Sequence, residues 1–270
     1  MIRQRHALPG FRVTLAFTLL YVGLIVVVPL AGLVAKAASL DGSAILTLLS
    51  NPRTLAAFRV SFFTAAAASL INLPLGLLLA WTLTRYRFPG RAVLDALIDL
   101  PFALPTAVAG VALTTLYVDD GWVGALLARI GVTVAFTPLG IGVALLFVGL
   151  PFVVRSLQPV MAALGRESEE VALTLGASPW QIFRRVILPP LLPAAVTGVG
   201  LAFARAVGEY GSVIFIAGNR PMVSEIVPLL IVAKLEQFDY PGAAVLGSAM
   251  LVLSLLILLA LGMLQNREPA

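Results

Sequence analysis

The chain contains no cysteine and a single histidine, His6. Without cysteine there are no disulfides, no thiolate metal ligands and no cysteine nucleophile. One histidine cannot build a histidine cluster for zinc or haem, nor a histidine-based triad of the usual kind. Charge is scarce too: 11% of residues are charged and 60% hydrophobic, whereas a soluble domain is roughly a quarter charged. So few polar groups cannot cover the surface of a soluble fold of 270 residues, so lipid is the main solvent. Lysine is nearly missing, with Lys36 and Lys234 the only two among 18 basic residues. Neither closes a G-x-x-x-x-G-K-[ST] stretch, which excludes a P-loop of that pattern. Any use of ATP then falls to a partner chain.

What the sequence does have is long apolar runs, with a mean hydropathy of +1.03. A spanning helix needs about 20 mostly apolar residues. Six stretches qualify: 13–34, 54–84, 100–118, 138–157, 191–217 and 241–264. The first is too long for the apolar core of a cleaved signal peptide and reads as an uncleaved anchor. In the second, Asn51-Pro52 reads as an N-cap with proline at N1, and Pro74 and Gly76 fall mid-span, where a kink is expected. In the third, Pro101 and Pro105 sit at the start and Asp119-Asp120-Gly121 ends the span. Stretches 122–136 and 223–233 are too short to cross and fit interfacial or re-entrant segments. The expected fold class is an all-α polytopic membrane protein with six transmembrane helices, one domain over 1–270.

Six spans place both termini on one side. Arg3, Arg5, Arg12, Arg85, Arg87, Arg91, Arg166, Arg184, Arg185 and Arg267 fall on that side; Lys36, Arg53, Arg129, Arg220 and Lys234 fall on the other. The two-to-one bias puts both termini in the cytoplasm. The net charge of +5 is read as this bias and not as a nucleic-acid footprint.

The longest charged interval, 165–185, then lies in the cytoplasm. Ser168 is positioned to N-cap a short helix, with Glu169 and Glu170 in the first turn, where carboxylates suit the positive dipole end. Gly176 follows where a C′ glycine belongs. Ser178-Pro179-Trp180-Gln181 has serine at N-cap, proline at N1 and glutamine at N3, a capping box. Arg184 and Arg185 follow, and Pro189-Pro190 is expected to end the second helix at the membrane. Two capped helices joined by a glycine point to protein docking; a plain solvated connector is the other reading.

Glu170-Val171-Ala172, three residues, Gly176, then Leu188-Pro189 resembles the EAA motif of ABC importer permeases, which reads E-A-A, three residues, G, nine residues, I, one residue, L-P. Val171 replaces the second alanine and Val186 the isoleucine. The stretches 84–91, 99–110 and 213–219 are similar to T-type sulfate/thiosulfate permease subunits; W-type and molybdate permease subunits are similar in outline. The resemblance implies an ABC type I importer transmembrane domain with no ATP site or other cofactor of its own. It implies a coupling loop, 165–189, in which Glu169, Glu170, Ala172, Gly176, Leu188 and Pro189 engage partner ATPases. It also implies the partners: a second permease subunit, as a heterodimer with a W-type chain, two cytoplasmic ATPase subunits that use ATP-Mg, and a periplasmic sulfate-binding protein. A molybdate or tungstate permease, and a secondary transporter or channel without an ATPase, are the alternatives.

Two charges lie deep in the fifth span, where each costs roughly 2.5–3.5 kcal/mol on insertion scales. Gly198, Ala202, Arg205, Glu209 and Ser212 recur within an arc of about 80° on a continuous helix. Either Arg205 and Glu209 neutralise each other at i, i+4 against a neighbouring helix, or Arg205, Glu209 and Ser212 line a translocation path for an anion. Asp95 and Asp99, near Arg91, read as headgroup-region residues. Arg59 and Arg155 read as span-end residues that snorkel.

Overall fold

The computed structural model describes residues 10–265. Arg3, Arg5, His6 and Arg267 lie outside them, and with them part of the basic-residue count. No strand occurs among the described residues. In chain order the helices are α1 (Phe11–Ala37, with a π-turn at Gly23–Val27), α2 (Gly42–Ser50), α3 (Pro52–Arg85), α4 (Arg91–Ile98), α5 (Leu100–Ala103) and α6 (Thr106–Tyr117). Then follow α7 (Gly124–Ala128), α8 (Pro138–Ala163), α9 (Glu167–Thr174), α10 (Pro179–Val207, with a π-turn at Phe183–Ile187), α11 (Val213–Ile216), α12 (Val227–Glu236) and α13 (Tyr240–Gln265). Among the described residues five helices are long and apolar enough to cross a membrane: α1, α3, α8, α10 and α13. Helices suit this solvent because each satisfies its own backbone hydrogen bonds.

The third expected span is the exception. It is split into α5 and α6, and the 12 residues of α6 rise only about 18 Å, short of the ~30 Å of a hydrocarbon core. Pro105 is the cause: it drives Leu104 into an extended conformation (φ −83°, ψ 135°) and brings no N–H to continue the ladder. Asn51 behaves as expected, its side chain accepting the Arg53 N–H at the start of α3. Helix α3 runs on through Pro74 as one element of 34 residues.

The centre is a three-helix pack of α3, α8 and α10. The buried face of α3 is lined by Ala57, Ser61, Thr64, Ala65, Ala68, Asn72, Gly76 and Ala80. Lipid supplies no hydrophobic drive between helices, so close approach through small residues does the work. A Cβ on Gly76 would sit 2.6 Å from Val153 Cγ1, which shows how near α3 and α8 come. Helix α6 packs on α11 and α8, α12 on α13 and α3, and α1 on α13.

Two expected ends move. Pro189-Pro190 does not end a helix: α10 continues to Val207, and the Leu188 N–H bonds to Phe183 O in an i→i+5 π-turn. A pyrrolidine ring crowds the carbonyl four residues back, and the wider turn makes room for it. The fifth span, by contrast, stops early. Gly208 caps α10, and 208–212 form an irregular link to α11. Glycine weakens a helix interior, and the Glu209 carboxylate gives the freed Ser212 N–H an acceptor at 2.9 Å.

Candidate functional site

The predicted docking loop is an ordered helix–turn–helix. Helix α9 carries Glu167, Glu169 and Glu170 in its first turn. Its N-cap is Arg166, without a side-chain cap bond, and not Ser168, which lies inside the first turn. Gly176 has φ +80°, a region open to glycine without Cβ strain. Its N–H bonds to Leu173 O at 2.9 Å and the Ala177 N–H to Ala172 O at 3.0 Å, which is a Schellman motif. Ala172 and Ala177, the two residues this motif brings together, both rest on the core around Met161 and Ile182. The capping box then starts α10: Ser178 N–H donates to Gln181 Oε1 at 2.8 Å, and Gln181 N–H donates to Ser178 Oγ. Leu188 is half-buried and Pro189 exposed just past the π-turn.

The two glutamates differ. Glu170 is exposed beside Val171, Leu173 and Leu175, with Trp180 also exposed and stacked on Phe183. Glu169 is half-buried and forms an ion pair with Arg85 at the end of α3. That partner was not legible in the sequence.

At the other predicted site Arg205 and Glu209 do form an ion pair, but not on a continuous helical face. Gly198 and Ala202 are buried, Gly198 against Val153 and Ser156 of α8. Glu209 and Ser212 lie beyond the helix end. The Glu209 side chain is 2% exposed; one carboxylate oxygen meets Arg205 and the other accepts both Ser212 N–H and Ser212 Oγ–H, at 2.9 and 2.8 Å. Arg205 is about a third exposed at 35%.

The structure adds neighbours to this site. The link 208–212 lies against the start of α6: a Cβ on Gly211 would clash with Thr106 Oγ1, and one on Gly110 would fall 2.5 Å from Ser212 O. The two interrupted spans meet where each is interrupted. Pro105 and the Gly208/Gly211 pair were the sequence signal for this, since broken helices in membranes gather at functional centres.

Two further charge clusters join distant parts of the chain. All five N–H donors of Arg155 are engaged. Nε and Nη2 grip the Asp99 carboxylate at 2.8 and 2.6 Å, Nη1 meets Asp95 Oδ1 at 2.7 Å and Gln158 Oε1, and Nη2 also meets Asp95 O at 3.0 Å. Asp95 in α4 and Asp99 just after it thus clasp Arg155 of α8. Arg53 holds Glu225 in a fork of two 2.7 Å bonds, with Glu225 1% exposed. Beside it the Val227 N–H donates to Ser61 Oγ. These pairs join residues far apart in sequence, so spacing held no trace of them.

A model of the binding-protein-dependent transport system inner membrane component family matches residues 72–268. The chain is 49% identical to the sulfate transport system permease protein CysT of Escherichia coli (strain K12), covering 98% of this chain and 96% of that protein. It is 48% identical to the protein of the same name from Salmonella typhimurium, with the same coverage. Among solved structures, a bacterial ABC transporter involved in the import of the acidic polysaccharide alginate superposes with a TM-score of 0.78 at 17% identity, over 96% of each chain. That last likeness carries the fold, while the family model and the two close relatives together place this chain in the binding-protein-dependent transport system inner membrane component family.

Proposed function

We propose that this chain is the membrane-spanning permease subunit of an ATP-driven sulfate/thiosulfate importer. The observation that carries the coupling part is the helix–turn–helix of α9 and the start of α10, closed by a Schellman turn and a capping box, which offers Glu170, Val171, Leu175 and Trp180 to a partner. Sulfate is taken over from the two close relatives. The chain performs no covalent chemistry; two cytoplasmic ATPase subunits hydrolyse ATP-Mg, a W-type chain supplies the second half of the path, and a periplasmic protein delivers the anion. The basic-residue bias supports cytoplasmic termini and a cytoplasmic loop.

Arg205, Glu209 and Ser212 are assigned to the path. A dianion leaving water needs a compensating charge, which a partly exposed guanidinium supplies. Glu209 neutralises part of that charge, so the anion is attracted without being trapped. The position of this cluster where two interrupted spans meet supports the assignment.

The test is reconstitution with the partner subunits in proteoliposomes. ATP hydrolysis should rise with binding protein loaded with sulfate or thiosulfate. A rise with molybdate alone would reassign the substrate. Ion flux through this chain without any ATPase subunit would replace the importer with a channel.

A further inference from the structure

Helix α9 has eight residues, none of them fully buried, and touches the core through Ala172 near its C-terminal end, so this packing alone fixes its angle only weakly. Its C-terminal end is held by the Schellman turn and by α10. Its N-terminal end is held by one residue of a distant helix. Arg85, in the last turn of α3, forms an ion pair with Glu169. The Arg85 carbonyl accepts a hydrogen bond from Arg166 Nη2 at 2.9 Å. Its guanidinium lies over the Trp81 ring, 5.6 Å from the centroid, and its side chain is only 10% exposed.

The charges at this junction suit the helix ends they sit on. Arg85 is a cation at the C-terminal, negative end of α3, and Glu169 an anion at the N-terminal, positive end of α9. The Arg85 carbonyl is one of the four a helix leaves unbonded at its C-terminus, and Arg166 satisfies it. Arg166 and Glu169 are three apart, so both contacts fall on one side of the first turn of α9. The end of α3 thus grips α9 at two points, while Glu170 stays exposed.

We propose that Arg85 is a positioning residue for coupling: it fastens α9 to α3, so that movement of α9 reaches α3 as well as α10. Glu169 is then an internal anchor and Glu170 the residue left for the partner. Since α3 and α10 both pack on α8, a push on α9 reaches all three central helices. This rests on the importer reading above.

The test uses the complete importer in proteoliposomes with sulfate-loaded binding protein. The variants are Arg85→Gln, Glu169→Gln, the double variant and Arg85→Lys. The readouts are co-purification of the ATPase subunits and ATP hydrolysed per sulfate delivered. Each single Gln variant should retain the ATPases yet raise ATP per sulfate roughly threefold to tenfold, within the range coupling networks carry. The double variant should be no worse than either single one, and Arg85→Lys should stay close to the parent. General misfolding lowers hydrolysis and delivery together and leaves their ratio unmoved, which separates a structural role from a positioning one. If Arg85→Gln does not accumulate, Glu169→Gln on the outer helix carries the test alone. A parent ratio in Glu169→Gln, or additive losses in the double variant, would overturn the proposal. Failure of the parent chain to hold any ATPase would instead overturn the importer reading beneath it.

Discussion

Two arginine–glutamate pairs in this protein look alike on paper and do different work. Arg205 and Glu209 are four apart, and their contact spans a helix end: the glutamate shapes the break by accepting Ser212 N–H and Oγ–H while facing the arginine. Arg85 and Glu169 belong to separate helices and tie two elements together. The local pair sits with a nearly fully buried carboxylate, where losing one partner strands the other at a cost of about 3–5 kcal/mol. The long-range pair is also largely withdrawn from solvent, with Arg85 10% and Glu169 22% exposed, but it joins two separate helices, so its loss frees one element from the other. A pair's burial and the elements it joins decide its role, not its spacing.

The sharpest way to break this comparison is at Arg205. Arg205→Met should lower binding-protein-dependent sulfate uptake about a hundredfold, since the dianion then crosses without the cation that offsets a cost of roughly 2.5–3.5 kcal/mol for charge within the bilayer. Uptake should stay low in Arg205→Met with Glu209→Gln at matched membrane levels, because the path still lacks its cation. Recovery toward the parent level would make the pair structural and remove it from the path.

Gly176→Val acts on the other region. A β-branched residue at φ +80° is strained by roughly 1–2 kcal/mol, which displaces the start of α10 from α9. Uptake should fall about tenfold while the chain remains in the membrane, as a blot of the membrane fraction would report. Parent-level uptake would mean that the turn does not set the docking geometry.

The clasp at Arg155 sharpens the contrast by a third case, a partly exposed long-range cluster. Arg155→Met leaves Asp95 and Asp99 without their shared donor and should destabilise the detergent-solubilised protein by about 1–2 kcal/mol, discounted for solvent screening. Thermal melts read this directly, and Asp99→Asn should lose less.

The smallest effect is expected at Asp239, which accepts from Lys234 at 2.8 Å and from the Gly242 N–H at 2.9 Å, at the start of α13. The Lys234 hydrogen bond, then that of Gly242, hold its carboxyl below the usual carboxylate range. A lowered pKa favours the folded state above the unfolded value of about 3.9, and the gain is lost as pH falls through the folded value. The contribution is below about 1 kcal/mol at this exposure. Melts taken from pH 5 down to pH 3 should fall less steeply in Asp239→Asn than in the parent; equal slopes would refute the linkage.

Local chemistry made the loop legible. Gly176, the Ser178–Gln181 box and the acidic first turn of α9 act within a few residues, so their signals survive in a single sequence. Ser168 misled because a serine one turn into a helix looks the same in sequence as one at its cap. The broken spans misled for a different reason. Hydropathy cannot tell a continuous apolar helix from one interrupted at Leu104–Pro105 or at 208–212, since both halves remain apolar.

By itself the sequence determined the solvent, the all-helical class, the run of long apolar helices and the double-capped loop. Each of these follows from composition or from interactions between near neighbours. Only the tertiary structure decided that Arg85 meets Glu169, that Arg155 clasps Asp95 and Asp99, that Arg53 forks Glu225, and that the interruption at Pro105 lies against Gly211. Those contacts join residues tens to more than a hundred positions apart. They depend on how closely small residues let α3, α8 and α10 approach, a distance that no local pattern encodes.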